Sequence, residues 1–114
     1  ELSGRDLTLI IGILADKPYR EILQILLAVC RKAILTSPRI HRALPAETLL
    51  ECARTFSTDV TVIPDVGAAV QYAMEHAAAN DAICVAGSLY VVGEAKSHLE
   101  KQGLPSFQRK ADKG

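Results

Sequence analysis

Four short apolar runs along the chain predict buried β-strands. The runs are rich in Ile, Val and Leu and show no polar alternation, which is typical of strands covered on both faces of a sheet. They lie at residues 7–13, 33–36, 60–63 and 82–86. The pattern therefore predicts four fully buried strands, each separated from the next by a longer stretch of different periodicity.

The stretches that follow these runs carry apolar residues at helical spacing, which predicts four amphipathic helices. Asp65 directly precedes the third helix and is a suitable N-cap residue. The first helix has a broad apolar stripe, and the last one ends before Gly103 and Pro105. The predicted helices span residues 19–31, 46–56, 66–77 and 89–101.

Four strand–helix repeats predict a doubly wound, mostly parallel α/β sheet of about four strands. With right-handed crossovers, the simplest strand order is third, second, first, fourth. The chain then reverses direction between the first and fourth strands, and the crevice beyond their carboxyl ends is the expected ligand site. Residues 1–102 are predicted to form this one domain, and residues 103–114 a flexible tail.

The composition of the chain argues against two classes of binding partner. The net charge is zero with 13 basic and 13 acidic residues, and aromatic residues make up only 4% of the chain. This balance argues against electrostatic capture of nucleic acid or of an anionic membrane. Cys30, Cys52 and Cys84 are widely spaced and lack the pattern of a zinc site, so we interpret them as reduced core residues of a cytoplasmic protein.

The expected crevice has candidate binding residues. Asp16 and Lys17 follow the first strand, and Gly87 and Ser88 follow the fourth. Gly87 allows a close backbone approach, while Ser88 can cap a helix whose first N–H groups would favour an anion. Lys17 would add a full positive charge. The alternative is that Ser88 is a cap that touches no ligand, and that Asp16 and Lys17 form an ordinary polar loop.

The loop at residues 37–45 follows the second strand and should reach the same edge of the sheet. Its two arginines, Arg39 and Arg42, have the planar donor geometry that binds a carboxylate in a bidentate manner. Arginines are also common in surface loops without such a role. His41 lies beside these positive charges and has no partner at metal-ligand spacing, so we interpret it as structural or solvated.

Several motifs are missing from the sequence. It contains no GxxxxGK[ST] phosphate loop, no GxGxxG after the first strand and no assembly of Ser, His and Asp for nucleophilic catalysis. The residues present predict binding of a small anion. They do not predict a complete nucleotide triphosphate site or a catalytic centre.

Three segments carry a resemblance to a known family: IGILADK at residues 11–17, RALPAE at residues 42–47 and AGSLYVVGE at residues 86–94. They resemble the C-terminal domain of bacterial folylpolyglutamate synthase/dihydrofolate synthase, a Mur ligase-type amide ligase. The likeness runs from about residue 2 to residue 99, and GSLYVVGE is its most specific part. Pro18 departs from the family, which usually has an acidic residue after the lysine.

The resemblance implies an ATP-dependent carboxylate–amine ligase that requires magnesium. Such an enzyme phosphorylates a carboxylate, and the amino group of L-glutamate then attacks the acyl phosphate to give a folate or dihydropteroate amide. The resemblance places ATP and Mg²⁺ on an N-terminal ATPase domain, which is the missing partner of this chain. Since the chain begins at Glu1 rather than Met, we interpret it as part of a longer enzyme, without the sheet's first strand and inactive alone.

The resemblance also implies roles for individual residues. Ser88 and Lys17 become candidates for holding a glutamate carboxylate, and Arg42 matches the arginine of the amino-acid-binding loop. Asp16 and Gly87 would support the turns, whereas Arg39 has no clear match. No catalytic or metal-binding residue is expected in this part of the enzyme.

Two other functions stay open at the level of sequence. One is the C-terminal domain of a UDP-muramoyl peptide ligase, which would want a different arginine loop and would lack GSLYVVGE. The other is a non-enzymatic, flavodoxin-like binding module. A receiver domain of that kind should have an acidic pair after the first strand, but Asp16 is a single acid followed by Lys17.

Overall fold

Strands and helices alternate along the chain in the computed structural model, which describes residues 6–57, 59–78 and 80–103. The elements are β1 (Leu7–Ile11), α1 (Tyr19–Leu27), β2 (Lys32–Leu35), α2 (Ala46–Ala53), β3 (Val60–Val62), α3 (Val66–His76), β4 (Ala82–Ala86) and α4 (Leu89–Lys101). The predicted tail at residues 103–114 lies, apart from Gly103, outside the described residues.

The four strands form one sheet in the order β3-β2-β1-β4. Every neighbouring pair is parallel, and at the end of β1 Ile11 is in register with Leu35 of β2 and with Ala86 of β4. The predicted doubly wound fold and strand order are therefore confirmed. The carboxyl ends of β1 and β4 lie side by side, which is where the order of the sheet predicts a ligand site.

Alternate side chains of β1 enter two separate apolar layers, because successive residues of a strand point to opposite faces. Leu9 and Ile11 pack with α1 and α2, including the fully buried Leu23 and Leu49. Ile10 packs on the other face against α3 and α4. The central strand is thus held between two helical layers, and its carboxyl end has a fixed position.

The prediction that all four strands are covered on both faces is wrong for β3 and β4. Both are edge strands, and the side chain of Ile83 in β4 is 37% exposed. Cys84 is exposed as well, so its interpretation as a core residue is also wrong. Cys30 and Cys52 are half-buried free thiols, and burial raises the pKa of Cys30, which makes that thiol less reactive.

Two helices are shorter than their apolar patterns predict. Helix α1 ends at Leu27 rather than at residue 31, because Arg31 is already bound to the sheet just before β2. The Arg31 N–H donates to the Leu7 carbonyl at 2.8 Å, and the Arg31 side chain pairs with Asp6 at 3.0 Å. Helix α2 ends at Ala53 rather than at residue 56, and the chain leaves it through a turn.

Asp65 caps α3 as predicted. Its Oδ2 accepts a hydrogen bond from the Ala68 N–H at 2.8 Å, and its Oδ1 lies 2.6 Å from Nη2 of Arg39. The pKa of Asp65 is lower than its ordinary value. The main cause is the hydrogen bond from the Ala68 N–H, and the second is the bond from the Arg39 guanidinium. The carboxylate therefore stabilises the start of α3 and also binds the loop after β2.

We expect Asp65→Ala to lower the free energy of unfolding by about 1 kcal/mol, the usual effect of losing an N-cap side chain. Asp65→Asn should have a smaller effect, because its amide oxygen can still accept from Ala68. Urea denaturation followed by circular dichroism measures both variants. Equal stability of wild type and Asp65→Ala would contradict the capping role.

The same residue predicts a pH dependence. Because the pKa of Asp65 is lower in the folded state than in the unfolded chain, its stabilising contribution is complete above the unfolded-state pKa. The contribution is lost as the pH falls through the folded-state pKa. Asp65→Asn should therefore reduce the acid-induced loss of stability, whereas Asp59→Asn, at an exposed position before β3, serves as the control.

Candidate functional site

The ends of β1 and β4 meet at two glycines. Gly87 has a φ of 121°, and a Cβ there would overlap the carbonyl oxygen of Gly12. Only glycine combines this left-handed conformation with so close a backbone approach. The predicted role of Gly87 in a tight turn thus has a direct geometric basis, and the turn delivers the chain into α4.

Ser88 is the N-cap of α4, as the sequence predicts. Its Oγ accepts from the Val91 N–H at 3.3 Å, and its carbonyl accepts from the Val92 N–H at 3.1 Å. The N–H groups of Leu89 and Tyr90 precede the first intrahelical bond and face the end of the helix. The Ser88 hydroxyl still has a proton to donate, so this helix start can bind an anion while it remains capped.

The turn after β1 and the loop after β2 are joined through their backbones. Leu14 and Ala43 form an antiparallel bridge, and the Ala15 N–H donates to the Arg42 carbonyl at 2.8 Å. A further bond runs from the Leu44 N–H to the Ile13 carbonyl at 2.9 Å. These bonds bring the segment that carries Lys17 next to the segment that carries Arg42.

The charged side chains on these two segments are exposed. Nη2 of Arg42 lies 4.0 Å from Oδ2 of Asp16, and both side chains are more than half exposed, at 56% and 62%. A pair of this length in solvent is weak. Lys17 is exposed on the same turn. The sequence predicts that Asp16 supports the turn, and the structure places its carboxylate beside Arg42.

Arg39 differs from Arg42 in its contacts. Its guanidinium pairs with Asp65, as described above, and its backbone N–H donates to Oε2 of Glu94 at 2.6 Å. The hydrogen bond and charge of Asp65, with a smaller contribution from Glu94, raise the pKa of Arg39. Of the two arginines considered from sequence, Arg42 is therefore the one more available to a ligand. His41 is exposed.

A groove of about 600 Å³ lies along α4, where this helix faces the start of α3 and the loop after β2. Tyr90, Glu94 and His98 line it together with Arg39 and Asp65. None of the predicted glutamate-binding residues lines it. Sequence reasoning did not find this groove, because it forms only where α3, α4 and the loop after β2 pack together.

The described residues do not form a metal site. Within residues 6–57, 59–78 and 80–103, no group of three or more His, Cys, Asp or Glu side chains is placed to hold a metal ion. The sequence also lacks a phosphate loop. Neither of these two features, which hold ATP and its magnesium ion in many nucleotide-binding proteins, is therefore found among the described residues. No helix in the described part of the chain is long and apolar enough to span a membrane.

Comparison with protein families assigns this α/β fold to a known class of ligase domain. The model of the Mur ligase, glutamate ligase domain, matches residues 1–89. The chain therefore belongs to the Mur ligase family. No curated protein matches the sequence.

Solved structures show which members of this family the chain resembles. The chain is similar to E. coli FolC in complex with DHPP and ADP, with 27% identity and a TM-score of 0.78 over 88% of the chain. It is also similar to folylpolyglutamate synthase from Thermotoga maritima, with 30% identity and a TM-score of 0.72 over 90% of the chain. The match spans 23% of each of these proteins.

A third structure shares the fold. It is a bifunctional folylpolyglutamate synthase/dihydrofolate synthase with Mn, AMPPNP and L-glutamate bound. Its identity is 22% and its TM-score 0.78, over 87% of this chain and 23% of that protein. The resemblance to a C-terminal folylpolyglutamate synthase domain, first seen in the IGILADK and GSLYVVGE segments, is confirmed.

Two glycine-to-alanine substitutions, one in the tight turn and one in the helix that follows it, should change the stability of the domain in opposite directions. Gly87→Ala should destabilise the domain by at least about 1–3 kcal/mol from its backbone conformation alone, and the overlap with Gly12 adds to this. Gly93→Ala should stabilise it by about 0.5–1 kcal/mol, because a Cβ there meets nothing within 4 Å and alanine favours α4.

Chemical denaturation of both glycine variants measures these opposite effects. Gly93→Ala is the matched control, because it makes the same substitution only six residues further along the chain. A stable, unperturbed Gly87→Ala protein would contradict the close approach of the two glycines.

Proposed function

We propose that this chain is the glutamate-binding domain of an ATP-dependent ligase that adds L-glutamate to folate or dihydropteroate through an acyl phosphate. The observation that carries the proposal is the capped start of α4 at the same edge of the sheet as two exposed cations, Lys17 and Arg42. The proposed ligase is a cytoplasmic enzyme.

Charge favours an anionic ligand at this edge. A helix start favours an anion by about 0.3–1 kcal/mol at an exposed site. The guanidinium of Arg42 can bind a carboxylate through two parallel hydrogen bonds, whereas Lys17 contributes a compact point charge. Glutamate has two carboxylates, so separate donors for each would fix its orientation.

The proposed chemistry gives these residues a positioning role. Ser88, Lys17 and Arg42 bind the carboxylates of glutamate and leave its amino group free to attack the acyl carbon. Holding the nucleophile in one orientation removes much of the entropy cost of a bimolecular reaction. The residues of this domain do not themselves carry the phosphoryl transfer.

Relatives support this division of labour. The similar enzymes were solved in complexes that contain ADP, AMPPNP, Mn, DHPP or L-glutamate. Those enzymes are about four times as long as the part that matches this chain. We propose that ATP and Mg²⁺ bind to the N-terminal ATPase domain, and that the 114-residue chain alone has no ligase activity.

Substitutions in the complete ligase test the glutamate site. Arg42→Ala should raise the KM for glutamate by about tenfold or more, because a hydrogen bond to a charged group contributes roughly 1.5–3 kcal/mol. Ser88→Ala should raise it by about tenfold as well, because the hydroxyl donates to a charged carboxylate. Steady-state kinetics should show a much smaller change in the KM for ATP.

A second variant and a control make this test specific. Ser88→Gly removes the hydroxyl but lowers helix capping by only a few tenths of a kcal/mol, so a weakened helix cannot explain its effect. Arg54→Ala removes an exposed arginine after α2, at the opposite edge of the sheet, and should leave both KM values unchanged. An unchanged glutamate KM in Arg42→Ala and both Ser88 variants would overturn the proposed site.

The division of labour has its own test. The purified 114-residue chain, supplied with ATP, Mg²⁺, glutamate and dihydropteroate, should form no product and release no phosphate. Measurable turnover would show that the ATP site is not confined to the N-terminal domain.

A further inference from the structure

Glu94 is the last residue of the GSLYVVGE segment, and it is not among the residues proposed to bind glutamate. It lies on α4, six residues after the Ser88 cap. Its Oε2 accepts a hydrogen bond of 2.6 Å from the backbone N–H of Arg39, in the loop after β2. The helix that begins at Ser88 is therefore tied directly to the loop that carries Arg42.

We propose that Glu94 is a positioning residue: its carboxylate holds the loop after β2 against α4 and so fixes Arg42 relative to Ser88. This inference rests on the proposed function, because it concerns how the two groups assigned to glutamate keep their geometry. Glu94 itself touches no substrate.

Short hydrogen bonds connect the tied residue to the arginine. The Ile40 N–H donates to the Pro38 carbonyl at 2.8 Å, and the Ala43 N–H donates to the Ile40 carbonyl at 3.0 Å. These two bonds fold residues 38–43 into consecutive tight turns. Because Arg39 and Arg42 lie in adjacent turns that share Ile40, a displacement of Arg39 is transmitted to Arg42.

The opposite side of the loop is fixed independently. The bonds from the Ala15 N–H to the Arg42 carbonyl and from the Leu44 N–H to the Ile13 carbonyl hold it to the turn after β1. These bonds hold the side of the loop that faces the turn after β1. Glu94 holds the side that faces α4, so the loop is fixed between the two.

The backbone bond to Glu94 should be the stronger of the two ties at Arg39. A bond from an N–H group to a carboxylate is shorter and stronger than one between neutral groups, and Glu94 is half-buried. The ion pair between Arg39 and Asp65 involves an arginine side chain that is 81% exposed, and exposed pairs contribute little. Removing the Glu94 carboxylate should therefore loosen the loop although the ion pair remains.

Hydrogen exchange of the 114-residue chain tests the tie itself. In Glu94→Ala, the amides of Arg39, Ile40 and Ala43, which donate the bonds described above, should exchange at least about tenfold faster, since exchange reports local opening. The amides of β1 and β2 should be unchanged. Glu94→Gln keeps an acceptor oxygen for the Arg39 N–H and should retain most of the protection.

Kinetics of the complete ligase test the consequence. Glu94→Ala should raise the glutamate KM about tenfold, the equivalent of roughly 1.4 kcal/mol, with the ATP KM unchanged. Glu94→Gln should restore most of the loss, which a simple effect of helix stability would not explain. Glu100→Ala is the matched control, because it removes an exposed glutamate from the same helix and should change neither exchange in the loop nor KM.

Each outcome decides one question. Unchanged exchange in Glu94→Ala would overturn the tie, and a loosened loop with an unchanged glutamate KM would overturn its role in positioning Arg42. If substitution of Arg42 and Ser88 themselves leaves the glutamate KM unchanged, the proposed function fails. The exchange experiment would still decide whether Glu94 holds the loop.

Discussion

The candidate site depends on the absence of a side chain at Gly12. A Cβ there would lie 2.8 Å from the Thr36 carbonyl oxygen, 3.0 Å from Val91 and 3.1 Å from Pro38. These contacts belong to the end of β2, to α4 and to the loop after β2, so one position brings together the elements of the site. Gly87 completes the arrangement from β4, because its own turn packs on the Gly12 backbone. Any larger residue would separate the helix start from the loop.

Local patterns predicted most of the fold, because each element has its own signal in the chain. The bounds of α4 and the caps at Asp65 and Ser88 follow from nearby residues, and the structure agrees. Burial was predicted less well. An apolar run indicates a strand but does not say how many helices cover it. The predicted strand order already placed the third and fourth strands at the edges, and the exposure of Ile83 follows from that position.

The contacts that distinguish Arg39 from Arg42 have no local signal. Asp65 lies 26 residues from Arg39 along the chain, and Glu94 lies 55 residues from it. In sequence the two arginines are equivalent members of one loop. Only the packing of α3 and α4 against that loop shows that Arg39 is engaged in two interactions. The family resemblance did separate them, since it matched Arg42 and left Arg39 without a counterpart.

Charge, rather than depth, is the better guide to the ligand site in this domain. The charged and polar groups of the groove beside α4 are largely paired, Arg39 with Asp65 and His98 with Gln71 at 3.1 Å. An anion that bound Arg39 there would compete with the carboxylate of Asp65. Lys17 and Arg42 lie instead on an open edge, where the Arg42 guanidinium makes a long contact of 4.0 Å to Asp16. If a second domain supplies the facing wall, as the proposed ligase requires, one wall alone has no reason to enclose a cavity. The open edge is then the expected form of half a site.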